Sequence, residues 1–137
     1  KEVKKNLGID IICNQVEYHP SISQKPVLDF IWNHNMFLTA YSPLGRGEGL
    51  ENQAINDIAE QHGKTPAQII LAWLMQQENV CAIPKSGNSD RIKENFDVFD
   101  IDLSQDEMST IFDQAREDGR LIDPEWAPDW DNAKKAA

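Results

Sequence analysis

Short apolar runs alternate along the chain with longer segments in which apolar residues recur every three or four positions. The short runs, at 10–15, 37–41 and 80–84, are nearly continuous in apolar character, which is typical of parallel strands buried on both faces. The longer segments have the spacing of amphipathic helices. This alternation predicts an α/β fold with three parallel strands, flanking helices and right-handed crossovers.

Two of the predicted helices carry a clear signal at their first residue. Thr65 with Gln68, and Ser104 with Glu107, form capping boxes, in which the two side chains satisfy each other's backbone N–H groups. Pro66 stands at the first helical position after Thr65, where its missing N–H costs nothing. The remaining helices are predicted at 1–6, 24–35, 51–62 and from Asn88 or Ser89 onward.

The number of strands limits the fold class. Three parallel strands cannot close a barrel, and a complete (β/α)₈ barrel needs about 250 residues, whereas this chain has 137. We therefore expect residues 1–118 to form part of a barrel or a small open sheet. Residues 119–137 contain prolines and tryptophans among acids without periodicity, which predicts an irregular tail. The chain begins at Lys1, within a predicted helix, so we expect a fragment of a longer protein.

Composition excludes several classes of function. The formal net charge of -10 argues against nucleic acid as a partner, because phosphate backbones require a basic surface. No apolar run approaches the length of a membrane span, and there is no secretory signal. Cys13 and Cys81 lie in apolar runs without metal-ligand or redox spacing, so we expect reduced core thiols in a cytoplasmic protein. The histidines share no metal-ligand spacing either, and we predict no metal site.

Polar residues follow the third predicted strand. Ligands of parallel α/β folds gather where strands end, and the segment 85–87 places an ammonium, a hydroxyl and a glycine before a helix start, where backbone N–H groups suit a phosphate. Arg91 would add a planar fork of donors. Glu94 and Asn95, one turn later, could reach the exocyclic amine of a purine. The alternative interpretation is a capped helix with solvated charges.

The second strand ends in Tyr41 and Ser42 and leads into a glycine-rich loop. The loop does not complete the G-x-G-x-x-G fingerprint of a Rossmann fold, because Leu50 occupies the last position. The pattern alone favours a flexible turn over a phosphate cradle. It also favours a core or rim position for the tyrosine over a stacking platform.

The first strand leads into Tyr18 and His19, which suggests general acid–base chemistry. Adjacent strand residues face opposite ways, however, so these two side chains should not act on one atom. Gln15 and Glu17, two positions apart, should point to the same side. We therefore assign no catalytic pair here.

Together the three strand-end segments resemble the aldo-keto reductase family. The motifs are N-Q-V-E-Y-H-P at 14–20, A-Y-S-P-L-G at 40–45 and I-P-K-S-G-N-S-D-R-I-K-E-N at 83–95, in the family's order and spacing. The resemblance covers roughly residues 1–118. Within the family, the chain is similar to bacterial diketogluconate reductase-like members. It implies the C-terminal part of a (β/α)₈ TIM barrel that binds NADPH without a Rossmann domain and reduces aldehydes or ketones by hydride transfer.

The resemblance also implies a role for individual residues. Gln15 would bond the nicotinamide carboxamide, and Tyr41 would stack on the nicotinamide ring. The pyrophosphate would be lined by Ser42, Leu44, Gly45 and Arg46. The 2′-phosphate, which distinguishes NADPH from NADH, would be held by Lys85, Ser86 and Arg91, with Glu94 and Asn95 at the adenine.

Other parts of the family's apparatus are expected elsewhere. The catalytic tetrad of Asp, Tyr, Lys and His comes from the N-terminal half of the barrel, so the resemblance assigns no catalytic residue to this chain. Its expected partners are that missing half and a small carbonyl substrate. Trp126 and Trp130 match the region that shapes the substrate pocket, although structural packing explains them equally well. The alternative function is a non-catalytic nucleotide-binding or self-associating partial-barrel module.

Overall fold

Three parallel strands form the centre of the fold. The computed structural model describes residues 2–127, with side chains from residue 5 onward. The strands β1 (Cys13–Glu17), β2 (Phe37–Tyr41) and β3 (Val80–Ala82) lie side by side in sequence order. Thr39 is in register with Gln15 on one side and with Cys81 on the other. The predicted parallel α/β sheet, open rather than closed, is confirmed.

Helices connect and cover these strands. The described residues form six α-helices: α1 (Glu2–Leu7), α2 (Lys25–Trp32), α3 (Gln53–His62), α4 (Pro66–Met75), α5 (Ser89–Phe96) and α6 (Gln105–Phe112). A 3₁₀ segment, Gly45–Glu51, follows β2. None of the described helices has the length and apolar character needed to cross a bilayer.

Local chemistry explains where the helices begin and end. Both predicted capping boxes are present, with Thr65 and Ser104 each accepting a hydrogen bond from the third helical N–H. α3 begins two residues later than predicted, because the 3₁₀ segment precedes it and Asn52 caps it by accepting from Ile55 N. The helix predicted at 24–35 ends earlier, at Trp32, and Asn35 has a φ of 50° that no α-helix allows.

The two faces of the sheet differ in burial. Leu38 and Ala40 are fully buried under the helices, in a core that includes Ile69, Ile70 and Trp73. On the opposite face, Phe37 is 53% exposed. The expectation that the strands are buried on both faces is therefore wrong for this chain. The helices leave this second face largely uncovered, and it is the face that points into the lumen of a closed barrel.

The open face also corrects the assignment of the cysteines. Cys13 is exposed and Cys81 is half-buried, and both are free thiols rather than core residues. Their sulfur atoms lie 3.2 and 3.3 Å from the Thr39 hydroxyl, which stands between them on this face.

Two strand boundaries also differ from prediction. The run at 10–15 begins to pair only near Ile12, whose carbonyl accepts from Phe37 N at 2.8 Å, and the preceding residues are exposed. β3 ends at Ala82 rather than at 84. In α6, Ile111 is buried, whereas Phe112 at the end of the helix is 40% exposed. Hydrophobic residues at a helix or strand end are the least constrained by periodicity.

We predict that the capping box of α6 makes stability depend on pH. Burial raises the pKa of Glu107, but hydrogen bonds from Ser104 and His62 outweigh burial, so this pKa lies below its usual range. The contribution of the carboxylate is therefore present above the unfolded-state pKa and lost as pH falls through the folded-state pKa. Glu107→Gln should lower the free energy of unfolding by about 1 kcal/mol at neutral pH.

Urea unfolding at neutral pH and near pH 3 measures this effect. The difference between wild type and Glu107→Gln should shrink as the pH falls through the lowered folded-state pKa of Glu107, because the wild-type carboxyl then becomes protonated. Glu60→Gln, at an exposed position of α3, is the matched control. A penalty of the same size at both pH values would contradict the assignment.

Candidate functional site

The carboxyl ends of the three strands emerge at one edge of the sheet. Glu17 and Tyr41 are register partners at the ends of β1 and β2. Tyr18 N donates to the Tyr41 carbonyl at 3.3 Å, and Ile83 N donates to the Ala40 carbonyl at 3.1 Å. Parallel pairing thus brings the three polar segments of the sequence together at the edge where barrels of this type bind ligands.

The loop after β2 is tightly turned. Ser42, Gly45, Arg46 and Gly47 all have positive φ angles, between 49° and 103°. Gly45 N donates to the Ser42 carbonyl and Gly47 N to the Leu44 carbonyl, each at 2.9 Å, so the turn is ordered by its own backbone. Positive φ costs a non-glycine residue roughly 1–2 kcal/mol, and such strain clusters at functional sites.

A cavity of about 520 Å³ lies between this loop and the start of α5. It brings together six of the predicted site residues: Leu44, Lys85, Ser86, Arg91, Glu94 and Asn95. Leu50 and Ala67 add apolar wall. Two cations and a hydroxyl beside an apolar surface suit a ligand that carries both a phosphate and an aromatic ring.

The start of α5 differs in detail from the prediction. Asn88 is the N-cap, and its Oδ1 accepts from Asp90 N at 2.8 Å and Arg91 N at 3.1 Å. Asn88 N in turn donates to Ser86 Oγ at 3.1 Å. The expectation that these helix-start amides are free is therefore wrong. An anion at this position must rely mainly on the Lys85 and Arg91 side chains.

The far wall of the cavity is held by α4. Glu94 Oε1 accepts from the Thr65 hydroxyl at 2.6 Å, and the Glu94 carbonyl accepts from Gln68 Nε2 at 3.3 Å. The capping box of α4 thus also fixes α5. Glu94 and the neighbouring Asn95 line the cavity, although sequence reasoning did not assign Thr65 or Gln68 to the site.

The five other predicted cofactor-binding residues do not line this cavity. Gln15 is exposed on the open face of the sheet, and Tyr41 is half-buried at its end. Burial raises the pKa of Tyr41, the negative charge of Glu17 raises it further, and Arg120 partly opposes both. The phenol is therefore neutral at physiological pH. Ser42, Gly45 and Arg46 belong to the turn between this face and the cavity.

Tyr18 and His19 point to different surroundings. The Tyr18 hydroxyl is buried and donates to Gln77 Oε1 at 2.8 Å, and burial raises the pKa of Tyr18 far above its usual range despite this bond. His19 Nε2 lies 2.9 Å from Glu17 Oε1. The geometry therefore gives no shared acid–base pair. Among the described residues, no group of three His, Cys, Asp or Glu side chains could hold a metal ion.

Glu17 is a site feature that sequence reasoning missed. Its carboxylate is only 1% exposed and accepts from Leu121 N at 2.8 Å and Ile122 N at 3.0 Å. The only available signal was an acidic residue two positions beyond a predicted buried strand. Of the predicted substrate-pocket tryptophans, Trp126 is 84% exposed, and Trp130 lies outside the described residues.

The fold is part of a parallel β/α barrel, with polar residues concentrated at the ends of its strands. The model of the Aldo/keto reductase family matches residues 1–116. The chain therefore belongs to the aldo-keto reductase family.

Individual relatives agree with this assignment. The chain is 42% identical over 121 residues to the glyoxal reductase of Bacillus subtilis, covering 88% of this chain and 43% of that protein. Similar solved structures include Gox0644 in a variant complexed with NADPH (37% identity, TM-score 0.85, 89% of this chain and 45% of that chain). Another is a candidate 2,5-diketo-D-gluconic acid reductase B (40% identity, TM-score 0.84, 87% and 43%). The chain thus spans less than half the length of these relatives.

We predict that the Asn88 cap stabilises the cavity wall. Asn88→Ala removes the acceptor of the Asp90 and Arg91 amides and should lower the free energy of unfolding by about 1 kcal/mol. Asn88→Asp retains a capping oxygen and should restore most of this loss. Urea denaturation followed by circular dichroism measures both variants. Equal stability of Asn88→Ala and wild type would show that the cap contributes nothing.

Proposed function

We propose that this chain supplies the NADPH-binding part of a reductase that converts aldehydes or ketones to alcohols. The observation that carries the proposal is the cavity in which Lys85, Ser86 and Arg91 stand beside the Glu94–Asn95 wall. Membership of the aldo-keto reductase family and the likeness to an NADPH-bound relative support it. When bound, the cofactor would supply the hydride.

The charges of the cavity favour NADPH over NADH in this proposal. The two cofactors differ by the 2′-phosphate, which carries a charge that a guanidinium fork and an ammonium can hold. Lys85 and Arg91 are both exposed and both line the cavity. The hydroxyl of Ser86 adds a donor, and Glu94 with Asn95 would face the adenine.

The nicotinamide end would lie on the open face of the sheet. Gln15 offers both an amide donor and an amide acceptor, which match the two groups of a carboxamide. Tyr41, neutral and half-buried at the strand end, offers a ring face for stacking. The turn of Ser42, Leu44, Gly45 and Arg46 would then cross the pyrophosphate between the two ends.

The rest of the proposed active site would come from another part of a longer protein. The chain covers 43% of the length of the glyoxal reductase it matches. In this proposal the family's proton-donating tetrad lies in the missing N-terminal half of the barrel, together with part of the pocket for a small carbonyl substrate. Trp126 and Trp130 remain predicted contributors to that pocket. The free thiols suit a reducing compartment, so we propose a cytoplasmic location.

A second candidate function is favoured by the open face. Phe37, on the open face of the central strand β2, is 53% exposed, and Ile12, directly before the edge strand β1, is 72% exposed. Exposed strand edges and apolar faces promote association with another chain. A self-associating nucleotide-binding module therefore remains a testable alternative to a catalytic half.

We predict that charge reversal at the phosphate subsite separates the two cofactors. Lys85→Glu and Arg91→Glu should each raise the dissociation constant of NADPH about ten- to a hundredfold, because each removes a charge-assisted hydrogen bond and adds repulsion. The dissociation constant of NADH should change about threefold or less. Titration calorimetry measures both cofactors.

The chain offers a matched control for this experiment. Lys93 lies on the same helix and is exposed, but it pairs with Asp90 and does not line the cavity. Lys93→Glu changes the net charge equally and should leave the preference for NADPH unchanged. Equal losses for NADPH and NADH in the Lys85 and Arg91 variants would refute the assignment.

We also predict that the isolated chain associates through its open face. Light scattering should give dimers or larger species, and Phe37→Ser should shift the population toward monomers, because it removes exposed apolar surface from this face. Pure chain should not oxidise NADPH in the presence of simple aldehydes. A monodisperse monomer would contradict the association, and turnover by the chain alone would contradict the division of the active site.

A further inference from the structure

Glu17 is a buried carboxylate with both oxygens occupied. Oε1 accepts from His19 Nε2 at 2.9 Å and from Leu121 N at 2.8 Å, and Oε2 accepts from Ile122 N at 3.0 Å. A carboxylate that is only 1% exposed is tolerated when such bonds replace water. Two of the three donors are backbone amides from more than 100 residues further along the chain.

The segment that supplies these amides is docked at other points as well. We call residues 116–122 the C-terminal strap. Arg116 N donates to the Ser21 carbonyl at 3.1 Å, and the Arg116 guanidinium pairs with Glu48 at 2.7 Å. A Cβ at Gly119 would lie 1.6 Å from the Ser21 carbonyl oxygen, so only glycine permits this approach. The strap therefore contacts the loops that follow β1 and β2.

The docked strap lies beside Tyr41. Glu17 is the register partner of Tyr41, and residues 17 and 41 project from the same face as Gln15 and Thr39. The charges of Glu17 and Arg120 both act on the Tyr41 phenol. The cavity that holds Lys85 and Arg91 is lined by other residues. The strap thus belongs to the proposed nicotinamide end rather than to the adenosine end.

We propose that Glu17 is a positioning residue that fastens the C-terminal strap across the strand ends, so that the strap forms a wall of the carbonyl-substrate pocket beside Tyr41. This inference rests on the proposed reductase function. Glu17 touches neither cofactor nor substrate in this proposal. It acts through the backbone of Leu121 and Ile122.

Two substitutions test the fastening by different means. Glu17→Gln keeps the size of the side chain but turns one acceptor oxygen into an NH₂ donor, which cannot bond a backbone N–H. Gly119→Ala leaves the carboxylate intact and prevents the close approach to Ser21. Glu60→Gln is the control for the loss of one negative charge at an exposed position.

Hydrogen–deuterium exchange of the chain gives the first readout, and it needs no cofactor. The amides of Leu121 and Ile122 should be protected in wild type and should exchange about ten- to a hundredfold faster in Glu17→Gln and Gly119→Ala. The amides of β2 and α4 should keep their protection, which shows that the core remains folded. Unprotected amides in wild type, or unchanged protection in both variants, would overturn the fastening role.

Steady-state kinetics of the full-length enzyme gives the second readout. Both variants should raise KM for the carbonyl substrate about tenfold or more, while the dissociation constant of NADPH changes about threefold or less. A fall in kcat with KM unchanged would overturn the role of the strap as a pocket wall. Failure of wild type to bind NADPH would reject the proposed function instead, and the exchange result would still decide whether Glu17 fastens the strap.

Discussion

Parallel pairing of three strands is the constraint on which the rest of this structure depends. Because β1, β2 and β3 run in one direction and in register, chain segments as far apart in sequence as those after Glu17 and Ala82 leave the sheet at a single edge. Neither the turn after β2 nor the start of α5 has ligand-binding geometry by itself. Placed side by side, they enclose a cavity lined by two cations, a hydroxyl and an apolar wall.

The sheet is ordered although one of its faces stays open, because the other face is buried. The helices cover one face, where the Tyr18 and Trp73 rings lie 5.1 Å apart and the Tyr18 hydroxyl reaches Gln77. This contact ties the end of β1 to α4 and holds the site edge in place. The opposite face keeps apolar residues such as Phe37 exposed, which is understandable for a chain whose family forms closed barrels.

Local signals in the sequence predicted much of the fold and of the cavity. Capping boxes at Thr65 and Ser104 are satisfied within four residues, so no tertiary information is needed to recognise them. The predicted site residues between Lys85 and Asn95 line one cavity, and they could be recognised together because they are close in sequence. The first strand was placed too early because Ile11 and Ile12 are apolar without being buried.

Hydrogen bonds from backbone amides to a side chain far away in sequence could not be predicted in this way. The bonds from Leu121 N and Ile122 N to Glu17 leave no trace in residue type, because any residue except proline offers the same amide. At the start of α5, by contrast, the decisive residue was visible in the sequence. The side chain of Asn88 accepts from the amides of Asp90 and Arg91, which a ligand was expected to use.

The charges around Tyr41 connect the strap to the chemistry of the edge. Glu17 places a negative charge beside the phenol, and Arg120, the neighbour of the two bonded amides, places a positive charge there. The hydrogen bonds that dock the strap on Glu17 therefore also place the positive charge of Arg120 at the strand end. Without the strap, the buried carboxylate would lose two of its donors and Tyr41 would lose the opposing cation. One contact thus sets both the shape and the electrostatics of this end of the site.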